Sequence, residues 1–336
     1  MDGLSERLHL GDSVMDASTT AWGPARATPT RGISLARQDA ADVIGQTTLA
    51  NPIACEGIGL HGGASARMVL HPAEAGHGIV FVRTDLGGAT VPARYDAVVD
   101  TRLCTMLGRG KARIGTVEHV LAALAGAGID NARIELNGPE VPILDGSAEP
   151  FLFLIDCAGV RRLAAPRRAV RVLRKVRVAR GEAFAELLPV ASVGLTLEFE
   201  IDFPAAAIGR QSLALELTPA SFRAELARAR TFTLAEEVAQ LRAAGLARGG
   251  DLSNALVVQE GAVLNPGGLR MEREFVRHKL LDAVGDLSLA GGPLQAVYRS
   301  SRGGHALNNE LLRALFAERG NWQGVMLAGQ MALSAA

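Results

Sequence analysis

EFVRHKLLDAVGDL, residues 274–287, reads as a helix in which a histidine and two aspartates share a face with apolar residues. Residues four positions apart lie one above another on a helix, so His278, Asp282 and Asp286 form one column. Imidazole and carboxylate both bind divalent metals such as zinc. An exposed His–Asp pair that stabilises the helix by roughly 0.2–0.5 kcal/mol would use the same residues. Two ligands are too few for a site, so the stretch alone favours the helix-stabilising pair, and a metal site needs a third ligand from elsewhere in the chain.

Length and composition limit the class of protein. The chain has 336 residues, of which 48% are hydrophobic, enough for a large core and for two domains. Its 35 basic and 35 acidic residues balance, which does not suggest a nucleic-acid partner. The three cysteines include no CxxC pair, so a disulfide framework or a cysteine zinc site is disfavoured. Because the sequence shows neither a bilayer-length apolar run nor a secretory signal, we expect a cytoplasmic protein.

The order of predicted elements indicates an α+β fold with two similar domains. Residues 1–45 lack periodicity and are predicted to be a mostly disordered extension. Strand-like runs, the helix TVEHVLAALAGAG and a second apolar helix form the first domain, residues 46–165. Residues 166–336 repeat that order around an excursion at about 231–260. We expect each domain to layer a sheet with helices and the two to face each other across a central cleft.

Two other segments offer the missing ligands and a base. Glu118 and His119 sit side by side in the opening turn of the first helix. Glu118 alone could simply complement the positive helix N-terminus, and His119 could be a satisfied buried histidine. In RSSRGGHALNN, His305 follows a Gly-Gly turn that could bring its imidazole into a cleft, although it could also be a helix start without chemistry. The remaining histidines stay unassigned: His9, His61, His71 and His77.

Several long segments resemble one enzyme family. GTVEHVLAALAGAGIDNARIELNGPEVPILDGSAEPF (115–151), EFVRHKLLDAVGDL and GGHALNNELL (303–312) resemble the hallmark segments of UDP-3-O-acyl-N-acetylglucosamine deacetylases, the LpxC family of zinc amidases in lipid A biosynthesis. ACEGIGLHGG (54–63) and RARTFTLAEEV (228–238) are similar too. The resemblance runs from about Gln46 to the last helix. It implies a β-α-α-β sandwich that removes the N-acetyl group from a UDP-sugar carrying a 3-O-acyl chain.

The resemblance also implies a metal site. One catalytic Zn²⁺, with Fe²⁺ as a possible occupant in the cell, would be held by His119, His278 and Asp282. Three protein ligands leave a fourth position open, as catalytic zinc requires. The column in residues 274–287 would then supply two ligands, and its third member, Asp286, would hold an imidazole beside the metal.

The acid–base groups follow from the same resemblance. Glu118 would be the general base for the attacking water, since it neighbours a ligand. His305 would be protonated and would stabilise the oxyanion or protonate the departing amine, with Asp286 polarising its ring. Thr231 corresponds to a threonine beside the tetrahedral intermediate, and Lys279 to a lysine near the sugar or diphosphate.

Substrate contacts are predicted for both ends of the substrate. Residues 231–260 would build the passage for the acyl chain, and the apolar candidates are Leu103, Phe232, Val238, Ala247 and Ala255, with core packing as the alternative. Arg168 and Arg302 match basic positions near the diphosphate. Arg102 and Asp251 depart from the family pattern, where an apolar and a small residue are common. We expect a monomer whose partner is this small nucleotide-sugar lipid, with no transmembrane segment.

Two other functions use overlapping residues. A set of two histidines and one carboxylate also suits a non-haem Fe(II) oxygenase. A catalytically silent protein that binds nucleotide-sugars or lipids could share the fold, since fold alone does not determine function. The presence of both Glu118 and His305 favours hydrolysis, because neither alternative needs a base and an acid beside the metal.

Overall fold

The computed structural model describes residues 43–191 and 193–328. The predicted disordered extension, residues 1–45, lies outside these ranges except for its last three residues, and Gly45 already begins the first strand. Among the described residues, no helix is both long and apolar enough to cross a membrane.

Described residues 43–166 contain ten strands and two helices. The strands are β1 (Gly45–Leu49), β2 (Ile53–Ile58), β3 (Ser65–Pro72), β4 (Ile79–Arg83), β5 (Ala89–Pro92), β6 (Val98–Asp100), β7 (Met106–Arg109), β8 (Ala112–Ile114), β9 (Ala132–Leu136) and β10 (Val160–Pro166). The helices are α1 (Glu118–Gly126) and α2 (Glu149–Ala158). Short 3-10 turns occupy Thr84–Leu86 and Tyr95–Ala97.

The described residues from 167 to 328 contain ten further strands and four helices. The strands are β11 (Arg168–Val172), β12 (Val176–Arg180), β13 (Ala183–Leu188), β14 (Leu195–Asp202), β15 (Arg210–Glu216), β16 (Phe232–Leu234), β17 (Leu256–Gln259), β18 (Ala262–Val263), β19 (Leu294–Ser301) and β20 (Trp322–Met326). The helices are α3 (Pro219–Ser221), α4 (Ala235–Ala243), α5 (Glu274–Ser288) and α6 (His305–Ala317). A π-helical turn, Phe222–Leu226, follows α3, and Arg319–Asn321 form a 3-10 turn.

The sheets follow the two halves of the sequence. A five-stranded sheet has the order β2-β3-β9-β4-β5, a three-stranded sheet has the order β6-β7-β8, and β1 pairs with β10. A seven-stranded sheet has the order β12-β13-β19-β11-β20, with β14 on β19 and β15 on β14, and β16, β17 and β18 form a small sheet in the predicted insert. The α+β class is confirmed. Within the described ranges, the sheets share no strand across Pro166, although the domain limits 46–165 and 166–336 stay a prediction.

Helices α1 and α5 pack against each other in the interior and carry the residues singled out in the sequence. Nearly every residue of α1 is buried, and so are most residues of α5. Gly285 makes their close approach possible, because a Cβ built on it would lie 2.1 Å from the carbonyl oxygen of Glu118. The crossing therefore brings the first turn of α1 against the middle of α5.

Candidate metal centre and active site

Three side chains meet where α1 and α5 cross. His119 projects from the first turn of α1, and His278 and Asp282 lie one turn apart on α5. Their ligand atoms all lie within 4.8 Å of one another. Asp282 Oδ1 is 3.6 Å from His119 Nε2 and 3.3 Å from His278 Nε2. All three residues are buried, so the two helices together build a compact donor set.

The chemistry of this set fits a metal ion. Asp282 Oδ1 is buried and has no hydrogen-bond partner within the described part of the chain. Burial alone would raise the pKa of Asp282, but His278 and Lys279 hold it well below its usual range. Burial lowers the pKa of His278 to about 4. An ionised carboxylate oxygen without a donor beside a neutral imidazole is a costly arrangement that a divalent cation would satisfy.

The His278 ring is oriented for coordination. Its Nδ1 lies 3.0 Å from the carbonyl oxygen of Ala229. A carbonyl only accepts, so Nδ1 carries the hydrogen and Nε2 keeps its lone pair towards Asp282. The next residue, Arg230, forms a buried ion pair of 2.8 Å with Glu274 at the start of α5. The segment that supplies this carbonyl is therefore fixed to the helix that supplies the ligands.

Glu118 and His305 lie beside the donor set. The pKa of each is raised, which favours the neutral form of Glu118 and the charged form of His305. Burial raises the pKa of Glu118, against the lowering influence of His305 and His119. Burial alone would lower the pKa of His305, but the carboxylate of Asp286 raises it to about 9. His305 Nε2 is 4.0 Å from Glu118 Oε1. The site thus combines a carboxylate that takes up protons readily with an imidazole that is charged at neutral pH.

Asp286 faces His305 and does not belong to the metal donor set. Its Oδ2 lies 2.8 Å from His305 Nδ1 and accepts a hydrogen bond of 2.8 Å from Asn308 Nδ2. Its Oδ1 accepts one of 2.6 Å from Thr105 Oγ1. These contacts fix the carboxylate and present His305 Nε2 to the cleft.

A cleft of about 550 Å³ opens over these groups and gathers most of the predicted residues. Its wall includes Leu103, Glu118, His119, Thr231, Phe232, His278, Lys279, Asp282, Arg302 and His305. Lys279 Nζ donates a hydrogen bond of 2.8 Å to Asp282 Oδ2. Burial alone would lower the pKa of Lys279, but Asp282 raises it, so the amine stays charged.

Four predicted substrate residues lie outside this wall. Arg168 is exposed on β11 opposite Met326 of β20. Val238 belongs to α4, and Ala247 follows that helix with a φ of 50°. Ala255 is buried just before β17. Their substrate contacts stay predictions that the shape of this cleft does not support.

The cleft also contains residues that the sequence left unassigned. His61 lies in its wall, and neither of its ring nitrogens has a hydrogen-bond partner among the described residues. The loop that carries it is held by Glu140, which accepts the backbone N–H groups of His61 and Gly62 at 2.7 and 2.8 Å and the hydroxyl of Thr116 at 3.0 Å. The glycines of GIGLHGG indicated a turn, but no acid stands at helical spacing from His61 to suggest a site.

Replacement of Gly285 should disturb the helix crossing. We expect Gly285→Ala to lower the free energy of unfolding by about 1–3 kcal/mol, the usual effect of overpacking. The gain of roughly 1 kcal/mol in helix propensity cannot offset it, because the 2.1 Å contact is with the backbone of Glu118, which cannot rotate away. Metal affinity should fall as well. Calorimetric melting and metal titration test both effects.

Gly138→Ala is the matched control, since a Cβ there would meet nothing within 4 Å. Equal melting temperatures and metal affinities for the two variants would contradict the assigned role of Gly285.

Comparison with known proteins gives a consistent result. The family model described as LpxC, UDP-3-O-acyl N-acetylglycosamine deacetylase, matches residues 46–317. A protein of Acidithiobacillus ferrooxidans named UDP-3-O-acyl-N-acetylglucosamine deacetylase is 47% identical over 291 residues, which cover 86% of this chain and 96% of that protein. Proteins with the same name from Anaeromyxobacter sp. and Myxococcus xanthus are 48% and 49% identical. Those alignments cover 82% and 81% of this chain, and 90% and 87% of the relatives.

Proposed function

Because the chain belongs to the UDP-3-O-acyl N-acetylglycosamine deacetylase family, we propose that the cleft over α1 and α5 is its active site. The chain is a hydrolase that removes the N-acetyl group from UDP-3-O-acyl-N-acetylglucosamine in lipid A biosynthesis. The observation that carries the proposal is the convergence of His119, His278 and Asp282 within 4.8 Å, beside a carboxylate and a charged imidazole.

The proposed cofactor is a single Zn²⁺ held by these three residues. Two imidazoles and one carboxylate are a common donor set of catalytic zinc, and Fe²⁺ accepts the same ligands. When bound, such an ion polarises a carbonyl group and lowers the pKa of water. His278 keeps its lone pair for the ion through its bond to Ala229, and Asp282 is held in the ionised state.

Glu118 is the proposed general base. Its Oε2 accepts the N–H of Thr105 at 3.1 Å, which leaves Oε1, on the side of His305, to take a proton from the attacking water. Burial raises the pKa of this carboxyl group, which makes it a better proton acceptor than an exposed glutamate.

His305 is the proposed acid. Its Nδ1 is bound to Asp286, so Nε2–H points to the cleft and can stabilise the oxyanion or protonate the departing amine. Thr231 and Lys279 also line the cleft and would contact the tetrahedral centre and the sugar. This division of roles explains why one cleft holds both a carboxylate and an imidazolium.

The two ends of the substrate suit different parts of the rim. Arg180 and Arg302 provide positive charge for a diphosphate. Leu103, Phe203 and Phe232 provide apolar surface for the acyl chain. Bound diphosphate would compete with Glu182 and Asp202 for Arg302.

Cytoplasmic location and a monomeric state remain part of the proposal. Cys55, Cys104 and Cys157 all lie in the described ranges and are free thiols, which supports a reducing compartment. Sedimentation of the purified protein would test the monomer.

Mass spectrometry of UDP-3-O-acyl-N-acetylglucosamine after incubation with the purified protein tests the proposed site. The intact protein should convert the substrate to the free amine and acetate without oxygen, and the chelator-treated protein should not. Conversion that needs oxygen would favour the oxygenase, and binding without conversion would favour the silent binding protein.

The pH dependence of the rate should report the contact between His305 and Asp286. The acid must be protonated, so activity falls as pH rises through the pKa of His305, about 9. In Asp286→Asn the carboxylate no longer raises that pKa, whereas burial still lowers it, so the basic limb should move to lower pH. Asp156→Asn, in an exposed pair with Arg223, is the control. A basic limb that stays in place in Asp286→Asn would exclude His305 as its source.

A further inference from the structure

Thr105 is a buried residue just before β7. It contacts Glu118, the proposed base, and Asp286, the carboxylate that holds the proposed acid. Its hydroxyl donates a hydrogen bond of 2.6 Å to Asp286 Oδ1. Its backbone N–H donates one of 3.1 Å to Glu118 Oε2. One residue of the β6–β7 connection is thus bonded to a side chain of α1 and to a side chain of α5.

These contacts complete a ring of four residues. Glu118 Oε1 lies 4.0 Å from His305 Nε2, and His305 Nδ1 lies 2.8 Å from Asp286 Oδ2. Thr105 joins the other carboxylate oxygens of Glu118 and Asp286. The base comes from α1, the acid from α6 and Asp286 from α5, so the ring that Thr105 closes links side chains from three helices.

The hydroxyl of Thr105 is one of three groups that hydrogen-bond to the Asp286 carboxylate. Oδ2 receives His305 and Asn308, whereas Oδ1 receives Thr105. Without this donor, Oδ1 would be a buried carboxylate oxygen that has lost its hydrogen bond, and the group would turn towards another partner. Because His305 Nδ1 is hydrogen-bonded to Asp286 Oδ2, such a turn of the carboxylate would move His305 Nε2 relative to Glu118.

We propose that Thr105 is a positioning residue that holds Glu118 and His305 at the separation that proton transfer across the substrate requires. The inference rests on the proposed roles of those two residues. Thr105 does not belong to the cleft wall, whereas Thr101, Arg102 and Leu103 of the same connection do. Thr105 therefore acts through other residues, and its loss should lower kcat while KM, which depends on the wall, stays unchanged.

Two matched pairs isolate the hydroxyl. Wild type and Thr105→Val differ by the exchange of a hydroxyl for a methyl group, and Thr105→Ser and Thr105→Ala differ by the hydroxyl alone. We expect kcat to fall about 10- to 100-fold in the Val and Ala variants, as for other partners that orient a functional side chain. Thr105→Ser should retain most of kcat, and KM should be the same in all four proteins. If the Val variant does not fold, the Ser and Ala pair decides.

Thr48→Val separates catalysis from stability. Thr48 is also fully buried, and its hydroxyl donates to Asn131 O at 2.7 Å and accepts from Ala73 N at 2.8 Å, on β1 and away from the cleft. This variant should melt at a lower temperature with an unchanged kcat. A comparable fall of kcat in Thr48→Val would show that loss of any buried hydroxyl has this effect and would overturn the inference.

Two further readouts complete the test. In the Asp286→Ala background, Thr105→Val should cause no additional loss of kcat, because its partner is absent. A crystal structure of Thr105→Ala should show the Asp286 carboxylate turned and His305 displaced from Glu118. Additive losses, equal kcat in Ser and Ala, or an unmoved His305 would each overturn the role of Thr105. Wild-type protein that does not deacetylate the substrate would instead refute the proposed site.

Discussion

Glu118→Gln should keep its metal ion and lose most of its deacetylase activity, with kcat about 10²- to 10⁴-fold lower, the usual effect of removing a general base. The amide keeps the shape of the side chain and can still accept the N–H of Thr105. It cannot take a proton from water. Because His119, His278 and Asp282 are untouched, metal content measured by plasma emission spectroscopy should equal that of wild type.

Glu149→Gln is the matched control for this prediction. Glu149 occupies the first turn of α2 as Glu118 occupies the first turn of α1, but its side chain is exposed and pairs with Arg228. If Glu118 acted mainly by complementing a helix N-terminus, both variants would show a similar small loss of stability and full activity. Full activity in Glu118→Gln would exclude it as the base.

Asp282→Ala should lose both the metal ion and the activity. Asp282 Oδ1 lies 3.6 Å and 3.3 Å from the two histidine nitrogens, so its removal leaves two imidazoles and no anion in the donor set. Lys279, whose ammonium group bonds to Asp282, would then be a buried charge without this partner and would repel a cation. Turnover should fall at least as far as in Glu118→Gln, together with metal content.

Asp286→Ala tests whether Asp282, and not Asp286 on the same helix, is the metal ligand. Asp286 lies one turn beyond Asp282 and contacts Thr105, His305 and Asn308. This variant should therefore keep its metal ion while its activity falls. Metal loss in Asp286→Ala together with metal retention in Asp282→Ala would reverse the assignment of the two aspartates.

The sequence predicted the helix of residues 274–287 and its column of three polar residues because helical periodicity is local. The structure places α5 at Glu274–Ser288. It also divides the column, since four residues rise about 6 Å along a helix. His278 and Asp282 therefore reach His119, and Asp286 reaches His305 instead. The resemblance to the family had already predicted that His278 and Asp282 bind the metal and that Asp286 holds His305. Membership of that family is confirmed.

Residues that depend on distant contacts gave little signal in the sequence. Thr105 stands 13 positions from Glu118 and 181 positions from Asp286, and nothing in DTRLCTML distinguishes it from other threonines. His61 lies in the cleft wall, where Glu140, 79 positions away, holds its loop through a hydrogen bond to the backbone N–H of His61. Such contacts are made by the packing of one segment on another, which periodicity and composition do not encode.

A match between a residue and a family position does not show in which direction the side chain of that residue points. Arg168 and Ala169 are neighbours on β11, but the first is exposed and the second is buried, since successive side chains on a strand point to opposite faces. Arg180, which was not among the predicted substrate residues, reaches the cleft from β12. The direction in which a residue of the sheet points determined which arginines lie at the rim.

Anomalous diffraction at the zinc edge from crystals of the zinc-loaded protein would test the metal centre most directly. We expect one strong peak about 2.0–2.2 Å from an imidazole nitrogen of His119, from Nε2 of His278 and from a carboxylate oxygen of Asp282. Glu118 and His305 should lie near this peak without coordinating it. A peak bound by other residues, or no peak at the crossing of α1 and α5, would contradict the proposed active site.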